Sequence, residues 1–268
     1  MHIKFSVIIN TFERETQILD LKNCFKSIFS QTHEPDEIIL IHSGDEKFEK
    51  IHLGNLSDKI RVIDCPKKTN ISEARNVGAN YCKNNYLAFI DDDDLWGKDY
   101  LKKSYEFIKK NKSKTILSTV YVTNHEKKEI LFRSPRSSKI EDYFNVNIGA
   151  MGSNLIIEKS EFELVKGFDT NLTVSEDKGI IMDLILKKRK IHFQENYVWY
   201  NLKTPNSITK QPQKMVDGLS AFLEKYKDFM NYRNRFFMTK KIYSYKKKVN
   251  KIYFIHFIFM FFINKFLN

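Results

Sequence analysis

After Asp228 the chain carries no acidic residue at all, although Arg233, Arg235, Lys240, Lys241, Lys246, Lys247, Lys248, Lys251 and Lys265 all follow. These nine cations account for most of the formal net charge of +12, so the basic balance describes a tail and leaves the preceding body near neutral. Cysteine is scarce. Cys24, Cys65 and Cys82 are odd in number and lack metal-ligand spacing, which excludes a disulfide framework and fits thiols in a reducing compartment. No stretch approaches the roughly 18 apolar residues expected of a membrane span. There is no internal repeat and no low-complexity linker before the tail. The opening Met1-His-Ile-Lys4 runs straight into an apolar strand, the pattern expected of a chain without a secretory leader. What is present is the composition of a folded protein: 268 residues, 42% hydrophobic and 29% charged. That is enough to bury a full core as one α/β domain, or one domain with an appendage.

The most informative stretch is Tyr86-Leu-Ala-Phe-Ile-Asp-Asp-Asp-Asp-Leu-Trp96. Its first half is a nearly continuous apolar run, the mark of a strand buried on both faces. It stops at Asp91, Asp92, Asp93 and Asp94. Adjacent carboxylates repel by about 1 kcal/mol per close pair in water, and more near a protein surface. A divalent cation with hard oxygen ligands, Mg²⁺ or Mn²⁺ shared with a substrate phosphate, explains such clustering better than a solvated turn. Alternation along an extended chain puts Asp91 and Asp93 on one ion and turns Asp92 elsewhere.

Taken in order, residues 5–10 read as a buried strand ending at Asn10-Thr-Phe-Glu-Arg14. Ile18, Leu21, Phe25, Ile28 and Phe29 then recur at helical spacing, with Thr16 as N-cap. Residues 36–41 form a second strand ending in His42-Ser-Gly-Asp45, and 60–63 a third. Asn70 and Glu73 make a capping box that opens a helix over 71–81. Beyond the acids, the pattern predicts a helix over 98–110 and a hairpin from 115–123 and 129–132. A small, Gly-bearing stretch follows at 148–154, then a strand at 155–157 and a short helix at 161–165. A helix over 180–186, a strand at 191–193, a loop at 204–207 and a helix over 215–230 complete the body. Strands alternating with helices predict βαβ units and a mostly parallel sheet. Ligands of such sheets gather outside the carboxyl ends of the strands, where residues 11–14, 43–45 and 91–94 converge. His42, His125 and His192 have no partner at ligand spacing and read as structural or exposed.

At this point the chain resembles an inverting family-2 glycosyltransferase of the nucleotide-diphospho-sugar (GT-A) fold. The matching pieces fall in order over about residues 4–210: Ser6-Val-Ile-Ile-Asn-Thr-Phe-Glu-Arg14; Asp36 to Asp45; Glu73-Ala-Arg-Asn-Val-Gly78; Phe89-Ile-Asp-Asp-Asp-Asp-Leu-Trp96; and Gly167-Phe-Asp169 followed by Glu176-Asp177. The resemblance implies a Rossmann-like α/β fold with a central, mostly parallel sheet flanked by helices. It implies a glycosyltransferase domain over 1–212, with 1–97 handling the donor and 98–212 the acceptor, and a C-terminal helical, basic and aromatic appendage over 213–268. It also implies Mn²⁺ or Mg²⁺ on Asp91 and Asp93. The donor would be held by Thr11, Glu13, Arg14, Ser43, Asp45, Arg75 and Asp92, with Lys203 supplying a cation to the diphosphate. Asp177 would be the base, supported by Glu176. The expected activity is transfer of a sugar from a nucleoside-diphosphate donor, a UDP-sugar by default, to a glycan or lipid-linked acceptor in bacterial surface-glycan synthesis. Several positions depart from the family pattern. Asn10 and Glu13 stand where Pro and Asn are usual, and His42 and Ser43 where two acids are usual. These departures motivate the alternative of a catalytically altered, glycosyltransferase-like protein that binds membrane or a partner.

In the tail, lysines precede an aromatic, apolar run over 252–263 that is too short to span a bilayer. That pattern suits an interfacial helix on anionic lipid, peripheral on the cytoplasmic face of the inner membrane; packing on the domain or in a homodimer is the alternative. No nucleic-acid motif accompanies the basic residues, so no nucleic-acid partner is expected.

Overall fold

The computed structural model describes residues 2–13, 17–124, 127–132, 140–147, 149–200 and 210–250. Arg14, Thr16, His125, Ile148, Lys203, the 204–207 loop and the 252–263 run lie outside the described residues. The expected strand–helix alternation opens the fold: β1 (Phe5–Phe12), α1 (Gln17–Phe29), β2 (Glu37–Gly44), β3 (Arg61–Pro66), α2 (Ile71–Tyr81) and β4 (Tyr86–Asp91). β1 pairs in parallel with β2 and β4, and β2 with β3. Val7 and Ile9 of β1 enter a core cluster with Leu21, Phe25 and Ile28 of α1, while Ile8 enters another with Ala74 and Ala79 of α2. A helix on each face leaves no solvent side, which is why these strands are continuously apolar rather than alternating. The Asn70 capping box forms as expected, its side chain accepting from the Glu73 N–H at 2.9 Å and its own N–H donating to Glu73 Oε2 at 2.9 Å.

The second half is mixed. β5 (Leu95–Trp96), α3 (Tyr100–Asn111), β6 (Thr115–Asn124), β7 (Lys127–Phe132), α4 (Ile140–Asn145), β8 (Leu155–Glu158), α5 (Lys159–Leu164), α6 (Glu176–Leu186) and β9 (His192–Tyr200) follow. The sheet order is β3-β2-β1-β4-β8-β6-β9-β5, with β7 paired to β6. β8 is antiparallel to both β4 and β6, and β9 is parallel to β6. The hairpin expected around residue 125 is therefore present as β6–β7.

Three side chains, two on α2 and one at its N-cap, tie the halves to each other. The Asn76 side chain donates to the Phe168 carbonyl and accepts from the Phe168 N–H, each at 2.8 Å. Asn70 Nδ2 reaches the Thr170 carbonyl at 3.1 Å, and Ser72 Oγ the Leu172 carbonyl at 3.4 Å. Gly167 has φ +74°, and a Cβ there would lie 2.5 Å from Asn76 Oδ1. Glycine is thus required both by the left-handed backbone and by the close approach.

The helix expected over 215–230 is divided. α7 (Pro212–Tyr226) ends in a 3-10 turn at Lys227–Phe229, and Asn231 then caps α8 (Tyr232–Val249) by accepting from the Asn234 N–H at 2.9 Å. Both helices pack on the body through Phe144, Leu172, Val174, Met182, Leu219, Phe222, Met238 and Ile242. Lys225 pins α7 by bridging Asp169 at 2.9 Å and Asp183 at 2.7 Å. No helix among the described residues is long and apolar enough to cross a membrane.

Candidate active site

The parallel strands β1, β2 and β4 end side by side, and their tips carry the polar residues. β4 stays extended only to Asp91; the Asp94 N–H then bonds the Asp91 carbonyl at 3.1 Å and closes a turn. The alternation expected of an extended chain therefore stops at Asp91, and the four aspartates fan out instead. Asp91 Oδ1 accepts from Arg75 Nη2 at 2.8 Å. Asp92 is buried and accepts from the Thr11 hydroxyl, which itself accepts from Gln17 Nε2 at 3.0 Å. Asp94 is buried and accepts from Ser153 Oγ at 2.5 Å. Asp93 is half-buried at the turn's tip. Beneath them the Cys24 thiol is pushed up by burial and by all four aspartates, so it stays protonated and inert.

Arg75 organises this region. It projects from α2 and is 2% exposed, yet it bonds Asp91 on one side and Glu176 Oε1 on the other, each at 2.8 Å. Its guanidinium stacks over the Phe168 ring at 5.2 Å. Burial works against its charge, but Asp91 and Glu176 outweigh that and hold it firmly protonated. Gly152 makes room for it: a Cβ there would stand 1.8 Å from Arg75 Nη2.

Glu176 and Asp177 form the first turn of α6 rather than a loop preceding it. Ser175 before them sits at φ +64°, a left-handed conformation that costs a non-glycine residue about 1–2 kcal/mol. Strain at that point marks where the chain turns to present the two acids. Asp177 Oδ1 accepts its neighbour Lys178's N–H at 2.6 Å. Burial first, then the Glu176 charge, push the Asp177 carboxyl up to about 8, with Arg75 pulling the other way.

On the far side, Glu13, Asp45 and Lys67 form a cluster at the tips of β1, β2 and β3. Lys67 Nζ lies 2.5 Å from Asp45 and 3.4 Å from Glu13. Ser43 Oγ and both amide atoms of Asn10 are buried without a hydrogen-bond partner among the described residues, as is Arg75 Nε. Alternation puts Asn10, Ser43 and Asp91 on the α2 face of the sheet with Arg75. His42 is structural, as expected, with Nδ1 3.2 Å from Asp64 and its ring against Phe48.

Residues 6–160, more than half of the chain, match the family model described as glycosyl transferase family 2. The chain belongs to that family. Among its curated family-2 relatives is glycosyltransferase GlyA of Streptococcus pneumoniae, 28% identical over 54% of this chain and 21% of that protein. Another is the poly(ribitol-phosphate) beta-glucosyltransferase of Bacillus spizizenii, 25% identical over 75% of this chain and 32% of that protein. A third is the amylovoran biosynthesis glycosyltransferase AmsE of Erwinia amylovora, 27% identical over 50% of this chain and 52% of that protein. The chain thus spans from about a fifth to about half of the length of these relatives. Among solved structures, TarS 1–349 of S. aureus superposes with TM-score 0.61 at 18% identity, over 92% of this chain and 73% of that one. The mannosyltransferase PcManGT from Pyrobaculum calidifontis, in complex with GDP-Man and Mn2+, gives TM-score 0.60 at 10% identity, over 84% of this chain and 65% of that one. Both likenesses place this family-2 chain in the GT-A fold.

Of the residues singled out from the sequence, the fold gathers two groups. Asp91 and Glu176 are joined through the Arg75 guanidinium, with Asp177 next to Glu176, and Thr11 with Asp92 adjoins them across the β1–β4 pair. Glu13, Ser43 and Asp45 stand at the β1 and β2 tips. Arg75 was expected to hold nucleotide; the partners it shows are carboxylates. Sequence reasoning missed three residues. Ser153 binds both the Asp91 N–H and Asp94, and Asn10 is buried unpartnered. Tyr200, at the end of β9, has its phenol pushed up to about 12 by burial and by Asp94, Asp93, Asp91 and Asp177, so it lies within electrostatic reach of both acid groups. A tyrosine ending a strand beyond the predicted 191–193 gives no motif to notice.

Proposed function

We propose that this chain transfers a sugar from a nucleoside-diphosphate donor, a UDP-sugar by default, to a hydroxyl of a glycan or lipid-linked acceptor, with inversion, in building a bacterial surface glycan. The observation that carries the reading is the Arg75 bridge that holds the Glu176–Asp177 turn of α6 against the acidic tip of β4, where burial and the Glu176 charge push the Asp177 carboxyl up to about 8. An ordinary carboxylate is a weak proton acceptor at neutral pH, whereas one near 8 is matched to the task. In this reading the acceptor oxygen attacks the anomeric carbon and gives its proton to Asp177. The bond from that carbon to the diphosphate breaks, and the nucleoside diphosphate departs. Glu176 raises the affinity of Asp177 for the proton, and Arg75, bonded to Glu176, tempers it.

Among the described residues no three acidic, His or Cys side chains converge into a ready-made metal cage. Two hard carboxylates at a strand tip fit instead the kind of ion held by one or two carboxylates plus substrate phosphates. Asp93 and Asp91 would hold Mn²⁺ or Mg²⁺, which supplies positive charge opposite the departing diphosphate. Ser43 and Asn10, buried and unpartnered, are assigned to hydrogen bonds with the donor, beside Thr11, Asp92, Glu13 and Asp45; Arg14 and Lys203 complete the set from the sequence. The names of the relatives support the class: a poly(ribitol-phosphate) beta-glucosyltransferase, an amylovoran biosynthesis enzyme, and TarS in complex with UDP-GlcNAc. Residues 1–97 are taken as the donor part and 98–212 as the acceptor part. The C-terminal basic and aromatic segment is assigned to an anionic membrane surface.

A thermal-shift screen against nucleotide sugars, with and without Mn²⁺, identifies the donor. Asp177→Asn should then keep donor binding while turnover falls by about 10²–10⁴-fold. Full turnover in that variant removes the mechanism.

A further inference from the structure

The end of the sheet opposite the site carries a second concentration of charge. β8 is antiparallel to both β4 and β6, and β9 is parallel to β6, so β6 and β9 point the same way as β4. Their first residues, Thr115 and His192, therefore lie toward the edge away from the acidic tips, level with Leu87 and Ala88 of β4. There a cleft of about 330 Å³ is lined by Lys112, Lys114, Lys188, Arg189, Lys190 and His192, with Asn111 and Glu161 completing it. That volume lies within the roughly 300–1,000 Å³ of small-ligand sites.

Five cations face two carboxylates, Glu161 in the cleft and Glu158 beside it, 3.3 Å from Lys114 Nζ. Glu161 is 3% exposed and is used from below: Arg189 Nε donates to it at 2.6 Å, and Lys114 Nζ stands 3.7 Å away. Among the described residues, Lys112, Lys188 and Lys190 have no carboxylate partner. His192 Nδ1 is buried without a hydrogen-bond partner among the described residues. Lys112 and Lys188 follow the ends of α3 and α6, where each meets the negative end of a helix dipole, worth about 0.3–1 kcal/mol. That accounts for one cation per helix, not for five around one hollow. Both hold left-handed backbone, φ 49° and 57°, at positions where glycine is usual. α6 closes on this conformation with the Arg189 N–H bonded to the Leu184 carbonyl at 2.9 Å and the Lys188 N–H to the Ile185 carbonyl at 2.8 Å. Like charges lining one hollow repel, and an anion bound among them relieves that repulsion.

We propose that this cleft is an anion site for a phosphate group, separate from the donor's diphosphate and on the opposite edge of the sheet. Lys112, Lys188 and Lys190 supply the charge, Arg189 is oriented by Glu161, and His192 offers its buried nitrogen. A phosphate could be free in solution or borne by a lipid headgroup, and the experiment separates the two. The imidazole proton signals of His192 are followed by NMR in the full chain. Titrants are inorganic phosphate, then vesicles of phosphatidylglycerol, then vesicles of phosphatidylcholine as the uncharged control. A saturable shift with phosphate that weakens at least about tenfold in Lys112→Gln/Lys188→Gln/Lys190→Gln supports the proposal, about 1.4 kcal/mol of binding. A response to phosphatidylglycerol vesicles alone, lost in the same variant, supports it with the lipid as source. No response to either, or an undiminished response in the variant, overturns it. Among the described residues the three lysines make no side-chain hydrogen bond or ion pair, so unchanged far-UV circular dichroism is expected, and donor binding should be unaltered.

Discussion

Replacing Arg75 by methionine tests the centre of the site most directly. The side chain is 2% exposed and answers two carboxylates, each at 2.8 Å. Removing one member of a buried ion pair costs about 3–5 kcal/mol, because the partner is left charged and uncompensated. Here the Asp91 side chain is 31% exposed and that of Glu176 13%, so water recovers part of the loss and the lower end, about 3 kcal/mol, is expected. In a domain of this size, about 2–4 °C of Tm per kcal/mol gives a fall of about 6–12 °C. The loss should depend on pH, and the sign is fixed. Without the guanidinium, whose charge lowers it, the Asp177 carboxyl rises further above the usual carboxylate range in the folded protein. A raised folded-state pKa adds stability below it, so the deficit is largest near pH 8.5 and smaller near pH 5. Denaturant unfolding at both pH values measures it, with Arg75→Lys as a charge-retaining control that cannot bridge two carboxylates in the same way. A deficit under about 1 kcal/mol, or one equal at the two pH values, refutes the reasoning.

Other outcomes follow from the same geometry. The pH profile of kcat/KM should rise through an apparent pKa of about 8, that of Asp177; Glu176→Gln, which removes the neighbouring charge, should move this limb to lower pH. An unmoved limb would detach Asp177 from the rate. Gly152→Ala drives a Cβ to 1.8 Å from Arg75 Nη2 and 2.9 Å from Asp91 Oδ2. It should cost about 1–3 kcal/mol by overpacking and lower turnover, read by unfolding and by product release. Asn70→Ala removes the capping box of α2 and should cost about 1 kcal/mol in a urea titration.

The donor half was legible because its signals are local. Continuous apolar runs marked strands covered on both faces, and Asn70 with Glu73 marked the start of α2. The acidic run was correctly seen as the end of a strand, but the disposition of its four carboxylates was not. That depends on a turn closed by the Asp91 carbonyl and on Ser153, which is distant in sequence. Arg75 was noticed as a motif residue; its burial between two acids required the 101-residue separation from Glu176 to be closed by folding. The helix over 215–230 read as continuous because its apolar spacing carries on past Tyr226. The break is set by Asn231 starting a new cap, a polar signal overridden by periodicity. β5, two residues long, has no pattern to read and exists only because β9 lies beside it.

The pairing of Asn76 with Phe168, reinforced by Asn70 and Ser72, makes α2 a common spine for the first and second halves of the chain. The spacing of the Glu176–Asp177 turn from the acidic tip of β4 is then dictated by one helix, through the Arg75 bridge. Exchange of residues 151–154 or 170–174 would disturb that spacing, because Gly152 makes room for Arg75, Ser153 holds Asp91 and Asp94, and the Thr170 and Leu172 carbonyls receive the ties from Asn70 and Ser72. Variation is tolerated only where a loop carries none of these contacts.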